Sequence, residues 1–186
     1  LKTFATICII GMFTSSCTSK KASRTEGSHE AEQDLTMIVG TYTSGDSKGL
    51  YSFRFNEENG TATALSEAEV ENPSYLVPSA DGKFIYAVSE FSNEQAAANA
   101  FAFNKEEGTF RLLNTQKTGG EDPCYIITNG SNVVTANYSG GSISVFPIDK
   151  DGSLLPASEV VKFKGSGADK ERQEKPHLHC VRITPD

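Results

Sequence analysis

A repeat with a period of about 50 residues is the feature that most constrains the fold of this chain. Pro73, Pro123 and Pro176 each open a similar segment, and they are 50 and 53 residues apart. A short aromatic and β-branched run follows the first two prolines, as in Phe84 to Val88 (FIYAV) and Val133 to Ala136 (VVTA). Short antiparallel strands that recur with such a period are typical of the four-stranded blades of a β-propeller.

Turn sequences separate the predicted strands at matching places in each repeat. Polar loops that end in glycine occupy residues 56–60 (NEENG), 104–108 (NKEEG) and 149–152 (DKDG). Such loops close β-hairpins, and no segment after residue 35 keeps a helical period of apolar residues. The sequence therefore predicts an all-β fold, a β-propeller with about three blades over residues 37–186. Because a propeller closes with about four to eight blades, we expect a partial propeller that is incomplete at its C-terminus.

The N-terminus carries a different pattern. Lys2 precedes the apolar run Thr3 to Phe13 (TFATICIIGMF), and small residues then lead to Cys17. This order is typical of a secretory signal, and a cysteine after small residues resembles the lipid-attachment site of a bacterial lipoprotein. We therefore expect a signal peptide over residues 1–17, lipidation of Cys17 and a flexible polar tether over residues 18–36.

These features predict an exported protein that is lipid-anchored in the bacterial cell envelope, in the periplasm or at the outer membrane. The apolar run is too short to span a bilayer as a stable helix, so the lipid at Cys17 would be the one contact with the membrane. A cytoplasmic protein is the alternative if the signal is not used.

Composition limits the partners of the chain. Its net charge is −7 and its pI is near 5.0, whereas binding to a phosphate backbone needs a surplus of Lys and Arg. We therefore expect no nucleic-acid partner. Beyond the signal, Cys124 and Cys180 are too few for a disulfide framework, and each is expected to be a small buried residue.

Four segments together carry a resemblance to a known family. They are Ile38 to Thr43, Asn72 to Glu90, Asp122 to Ile148 and Lys175 to Asp186. The Ala-Asn-Tyr-x-Gly-Gly-Ser stretch of the third segment and the Pro-His-x-His stretch of the fourth are the most specific parts. In these segments the chain resembles the seven-bladed β-propeller lactonases, a family that includes a 6-phosphogluconolactonase and muconate-lactonizing enzymes.

The resemblance implies an enzyme of carbohydrate metabolism that hydrolyses a sugar lactone, 6-phosphogluconolactone or a related gluconolactone, to the sugar acid. It implies a small-molecule lactone as partner and no nicotinamide, flavin or obligatory metal as cofactor. A propeller fold alone does not decide function, so a non-catalytic cell-surface propeller that binds carbohydrate or protein is the alternative. Without the blades that complete the channel, we expect the fragment itself to be inactive.

Comparison of the repeats points to two histidines. With the prolines aligned, His179 takes a position that Leu76 and Ile126 occupy in the other repeats, and His177 directly follows its proline. Departures from a packing rule are typical of functional sites. Residues two apart on a strand share a face, so the two imidazoles predict a general base and a proton donor or carbonyl-polarising group. A histidine pair that is hydrogen-bonded in the core is the structural alternative, and two histidines alone predict no metal site.

Polar residues end two predicted strands at the same place in the repeat. Glu90 ends one strand, and Asn137 and Tyr138 end the next. Because strand ends at one rim line the central channel of a propeller, we predict that Glu90 is a catalytic residue that orients a histidine or a water. Asn137 and Tyr138 are predicted to bind substrate through a sugar hydroxyl or the lactone carbonyl. A solvated Glu and a turn-forming Asn are the structural alternatives.

Overall fold

The computed structural model describes residues 35–184, and their regular structure consists of eleven strands in three antiparallel sheets. The first sheet contains β1 (Leu35–Gly40), β2 (Gly49–Phe55) and β3 (Ala62–Glu69). The second contains β4 (Leu76–Pro78), β5 (Phe84–Ser89), β6 (Ala97–Asn104) and β7 (Thr109–Lys117). The third contains β8 (Pro123–Thr128), β9 (Asn132–Asn137), β10 (Ser142–Pro147) and β11 (Glu159–Lys162).

Strands that follow one another in the sequence lie side by side in each sheet, which is the strand order of a propeller blade. The predicted all-β fold and the three blades are therefore confirmed. β1 begins at Leu35, two residues before the predicted start of the propeller. Within residues 35–184, no strand pairs with the second edge of β1. None of the described residues belongs to a helix that is long and apolar enough to cross a membrane.

The middle blade is buried on both faces, which explains its nearly continuous apolar sequence. In β5, Tyr86 and Val88 pack toward the third blade, whereas Ile85 and Ala87 pack toward the first. Successive residues of a strand point to opposite faces, so a sheet between two others needs apolar residues at every position. Each large side chain that is fully buried here stabilises the fold by about 1.5–3 kcal/mol.

The predicted hairpin loops are confirmed, and a glycine with positive φ ends each of them. Gly60, Gly108 and Gly152 have φ values of 72°, 72° and 87°. Two of these loops also contact the preceding blade, because the Gly108 carbonyl accepts a hydrogen bond from Ser52 at 2.6 Å and the Gly152 carbonyl accepts one from Tyr86 at 3.2 Å. The loops therefore fix the position of each blade against its neighbour.

Candidate active site at the blade junctions

Three of the sequence-predicted site residues, Glu90, Tyr138 and His177, lie at the ends of blades, where one blade meets the next segment of the chain. Tyr42, Glu90 and Tyr138 come just after the ends of β1, β5 and β9. Each occupies an equivalent position in the strand register of its blade. Each interacts with the residue after the repeat proline of the following blade or segment, which gives three pairs: Tyr42 with Ser74, Glu90 with Cys124, and Tyr138 with His177. The repeat thus places a different chemical pair at each of three successive junctions.

Unusual backbone conformations shape two of these junctions. Asn72 and Asp122 precede the repeat prolines and have φ values of 45° and 51°. Asn and Asp are the non-glycine residues that tolerate this left-handed region best. Hydrogen bonds hold both residues, since the Asn72 carbonyl accepts from the Glu90 N–H at 3.0 Å and the Asp122 carbonyl accepts from the Tyr138 N–H at 2.8 Å. The strand-end residues are therefore anchored through their own backbone.

His177 is held on two sides. Its Nε2 lies 3.0 Å from the Oε1 atom of Glu174, and its ring lies against Tyr138 with 4.6 Å between ring centroids. A carboxylate only accepts hydrogen bonds, so Nε2 donates and carries the proton. The other nitrogen, Nδ1, is buried and has no hydrogen-bond partner among residues 35–184. The side chain is 19% exposed, so the ring has little freedom to turn.

His179 is the accessible member of the pair. It is exposed, and its ring meets the same Tyr138 ring edge-on at a centroid distance of 5.8 Å and an interplanar angle of 86°. Within the described part of the chain, neither imidazole nitrogen of His179 has a hydrogen-bond partner. Residues 163–184 form no strand, yet both imidazoles still reach one phenol ring, as expected for residues two apart.

Glu174 is a site residue that the repeat comparison missed. It belongs to the irregular connection before Pro176, where the repeats have no common sequence. A hydrogen bond to its own backbone lowers the pKa of Glu174, and the nearby His177 imidazole lowers it further. The carboxylate therefore stays ionised as the acceptor for His177. The one sequence signal was its place three residues before a histidine.

Glu90 lies against hydroxyl groups rather than against the histidines. Its Oε2 atom accepts a hydrogen bond from Ser74, and the Tyr42 phenol lies close to its carboxylate. Partial burial raises the pKa of Tyr42, and the charge of this carboxylate contributes to the rise. No hydrogen bond or ion pair within residues 35–184 joins Glu90 to either histidine. Tyr42 was also missed, although its register position is equivalent to that of Glu90 and would have identified it.

Cys124 lies between Glu90 and the histidine segment. Its Sγ atom is 3.7 Å from the carbonyl oxygen of Leu178 and 3.8 Å from that of His179. Burial raises the pKa of the Cys124 thiol to about 11, and the charge of Glu90 adds to this effect. Glu90 and His179 are therefore neighbours of the same neutral thiol.

The environment of Asn137 differs from the expectation that this residue binds substrate. The Asn137 side chain is completely buried, donates to Ser142 and Ser144 at 3.0 and 2.9 Å, and accepts from Thr135 at 3.0 Å. Because these bonds use its amide within the blade, the geometry assigns Asn137 to blade structure rather than to substrate.

The cysteines are also less buried than expected, since Cys124 is half-buried and Cys180 is exposed.

No group of three or more His, Cys, Asp or Glu side chains in the described residues is arranged to hold a metal ion. The predicted signal peptide, Cys17 and most of the predicted tether lie outside the described residues.

Comparison with known proteins adds relatives of named activity. A 6-phosphogluconolactonase of Bacillus subtilis is 38% identical over 154 residues, which are 80% of this chain and 43% of that protein. The crystal structure of a candidate 6-phosphogluconolactonase of Bacteroides fragilis superimposes with a TM-score of 0.82 at 72% identity, over 84% of this chain and 44% of the other. A periplasmic gluconolactonase of Pseudomonas aeruginosa superimposes with a TM-score of 0.64 at 29% identity, over 70% and 39%.

The chain thus spans less than half the length of these relatives. The sequence model of one family, described as lactonase with a seven-bladed β-propeller, matches residues 36–186. This match extends over all the described blades and over the segment with both histidines. The chain therefore belongs to the seven-bladed β-propeller lactonase family.

Proposed function

We propose that the protein containing this chain hydrolyses a sugar lactone, 6-phosphogluconolactone or a related gluconolactone, to the sugar acid. Relatives named 6-phosphogluconolactonase in Bacillus subtilis and Formosa agariphila support this reaction class. The observation that carries the proposal is the pair of imidazoles on one phenol ring, with His177 held by Glu174 and His179 exposed. Lactone hydrolysis needs a group that activates water and a donor that stabilises an oxyanion.

His179 is the residue that we assign to the water. Its imidazole accepts a proton while the water oxygen attacks the carbonyl carbon, and the carbonyl oxygen becomes an oxyanion. When this tetrahedral intermediate collapses, the ring C–O bond breaks and the imidazolium returns the proton to the departing oxygen. The lactone and one water become the sugar acid, and the neutral imidazole is restored.

Tyr138 and His177 have supporting roles in this proposal. The Tyr138 phenol is the O–H donor next to both imidazoles, and we assign it to the developing oxyanion. His177 is a positioning residue, because Glu174 holds its Nε2–H and its ring packs against Tyr138. A Tyr138 ring that is held in place in turn positions the His179 ring, which contacts it edge-on.

Replacement of His179 by Ala in the full-length protein tests the assignment. We expect the hydrolysis of both gluconolactone and its 6-phosphate to fall by about 100-fold or more, since general base catalysis contributes about that factor. His29→Ala is the matched control, because this histidine belongs to the predicted tether. Equal activity of the two variants would contradict the role of His179. A folded wild-type protein that hydrolyses neither lactone would favour the alternative, a non-catalytic propeller that binds carbohydrate or protein.

We also propose that the protein is exported and lipid-anchored through Cys17. The order of cation, apolar run and small residues before Cys17 supports this, and one neighbour of similar fold is a periplasmic enzyme. In cells fed labelled palmitate, the wild-type protein should carry the label and sediment with membranes, and Cys17→Ser should lose both properties. A wild-type protein that remains unlabelled in the cytosol would exclude the anchor.

A further inference from the structure

The junction between the first two blades contains a carboxylate surrounded by hydroxyl groups. Glu90 accepts a hydrogen bond from Ser74, and the Tyr42 phenol lies beside both of them. Tyr42 belongs to the first blade, whereas Ser74 and Glu90 belong to the second. Tyr42 is 57% exposed, so the cluster opens to solvent rather than being sealed in the core. We refer to Tyr42, Ser74 and Glu90 as the hydroxyl cluster.

The backbone that supports the hydroxyl cluster is fixed in an uncommon conformation. Asn72, with its φ of 45°, accepts a hydrogen bond from the Glu90 N–H and donates one from its side chain to the Glu90 carbonyl at 3.2 Å. The side-chain oxygen of Asn72 accepts bonds from the N–H and the hydroxyl of Thr43 at 3.0 and 3.1 Å. Strained conformations of this kind persist where surrounding contacts hold them, and they are frequent at binding sites.

The Glu90 carboxylate has acceptor capacity left over. A carboxylate offers about four lone-pair sites, and the two hydroxyls of the cluster use at most part of them. The ion pairs of residues 35–184 are Lys48 with Glu69, Lys83 with Asp81, and His177 with Glu174, so Glu90 has no cationic partner there. Within these residues the donor to its carboxylate is the Ser74 hydroxyl, and the hydroxyl groups of a polyol would add further donors of the same kind.

The hydroxyl cluster also lies close to the proposed reaction site. Glu90 acts electrostatically on the Cys124 thiol, and the same thiol contacts the backbone carbonyls of Leu178 and His179. The carboxylate and the segment that bears the exposed imidazole therefore both lie near Cys124. A six-membered sugar lactone presents ring hydroxyls within a few bonds of its carbonyl, so a site for the hydroxyls has to lie near the site for the carbonyl.

We propose that Tyr42, Ser74 and Glu90 form a subsite that binds the hydroxyl groups of the sugar ring and thereby selects hydroxylated lactones. The subsite rests on the proposed lactonase function. Glu90 accepts hydrogen bonds from substrate hydroxyls, and the Ser74 and Tyr42 oxygens accept or donate according to the hydroxyl that they meet. A site that hydrogen-bonds a substrate hydroxyl discriminates against an analogue that lacks this hydroxyl.

A comparison of two six-membered lactones tests the subsite. The selectivity is the ratio of kcat/KM for gluconolactone, which bears ring hydroxyls, to kcat/KM for δ-valerolactone, which has none. We expect Glu90→Gln and Tyr42→Phe in the full-length protein to lower this ratio by about tenfold, chiefly through a higher KM for gluconolactone, as for the loss of one hydrogen bond to a charged group. Glu58→Gln, an exposed loop carboxylate, is the matched control.

Each outcome of this experiment decides the proposal. A purely structural role would lower kcat/KM for both lactones equally and leave the ratio unchanged, which would overturn the subsite. If the wild-type protein hydrolyses neither lactone, the proposed function fails, and calorimetric titration with gluconate then tests the subsite on its own. Weaker gluconate binding by Glu90→Gln than by Glu58→Gln would support it, and equal or absent binding in both would overturn it.

Discussion

The two histidines of the Pro-His-x-His stretch differ in what their nitrogens can do. The contact of 3.0 Å with the Glu174 carboxylate fixes the proton of His177 on Nε2, and burial closes Nδ1 to solvent. His179 has neither restraint, so its imidazole is able to exchange a proton with a bound water. In the proposed mechanism, His177 is therefore the positioning group and His179 is the reacting group.

Removal of the Glu174 carboxylate should separate these two roles. We expect Glu174→Ala to lower kcat by about tenfold, the loss of one hydrogen bond to a charged group, with little change in KM, because in the proposed mechanism Glu174 acts through His177. Nitrogen-15 NMR of the His177 ring checks the cause, since the wild type should show the proton on Nε2 and the variant a mixture of tautomers. Glu171→Ala, in the same exposed loop, is the control. The same tautomer in both variants would contradict the role of Glu174.

At the scale of strands and loops, the sequence predicts what depends on local patterns and misses what depends on contacts between blades. The loops that end at Gly60 and Gly108 are predictable because a tight hairpin needs a residue with positive φ. The contact between Glu174 and His177 was not predictable, because it arises in an irregular connection. Asn137 has the residue type of a sugar ligand, and only the packing of β10 against β9 reveals that its amide is already used.

A glycine at a hairpin tip should matter most where the tip contacts another blade. A Cβ atom on Gly152 would lie 2.1 Å from the Phe84 ring, whereas one on Gly60 would meet nothing within 4 Å. Both residues have positive φ, so Ala strains the backbone of either by about 1–2 kcal/mol. We expect Gly152→Ala to lower the free energy of unfolding by about 1–3 kcal/mol more than Gly60→Ala, as for overpacking of a core. Equal urea midpoints for the two variants would contradict this account of blade contact.

At the scale of the whole molecule, the candidate site depends on the order of the blades. Tyr42, Glu90 and Tyr138 come from successive blades, and each meets a residue that lies about 32–39 positions later in the chain. The apolar faces of the middle blade, such as Tyr86 on one side and Phe101 on the other, pack against the third and the first blade and so hold the first two of these junctions. The chain spans less than half the length of its relatives, so the proposed activity is tested on the full-length protein.

The most direct test of the central claim is the initial rate of lactone opening by the full-length protein, followed by acid release at constant pH. We predict saturable opening of gluconolactone or its 6-phosphate that exceeds the spontaneous rate, scales with protein concentration and falls by about 100-fold or more in His179→Ala. The ratio of kcat/KM for the two lactones then identifies the physiological class of substrate. A folded protein that leaves both spontaneous rates unchanged would contradict the assignment of this family member as a sugar lactonase.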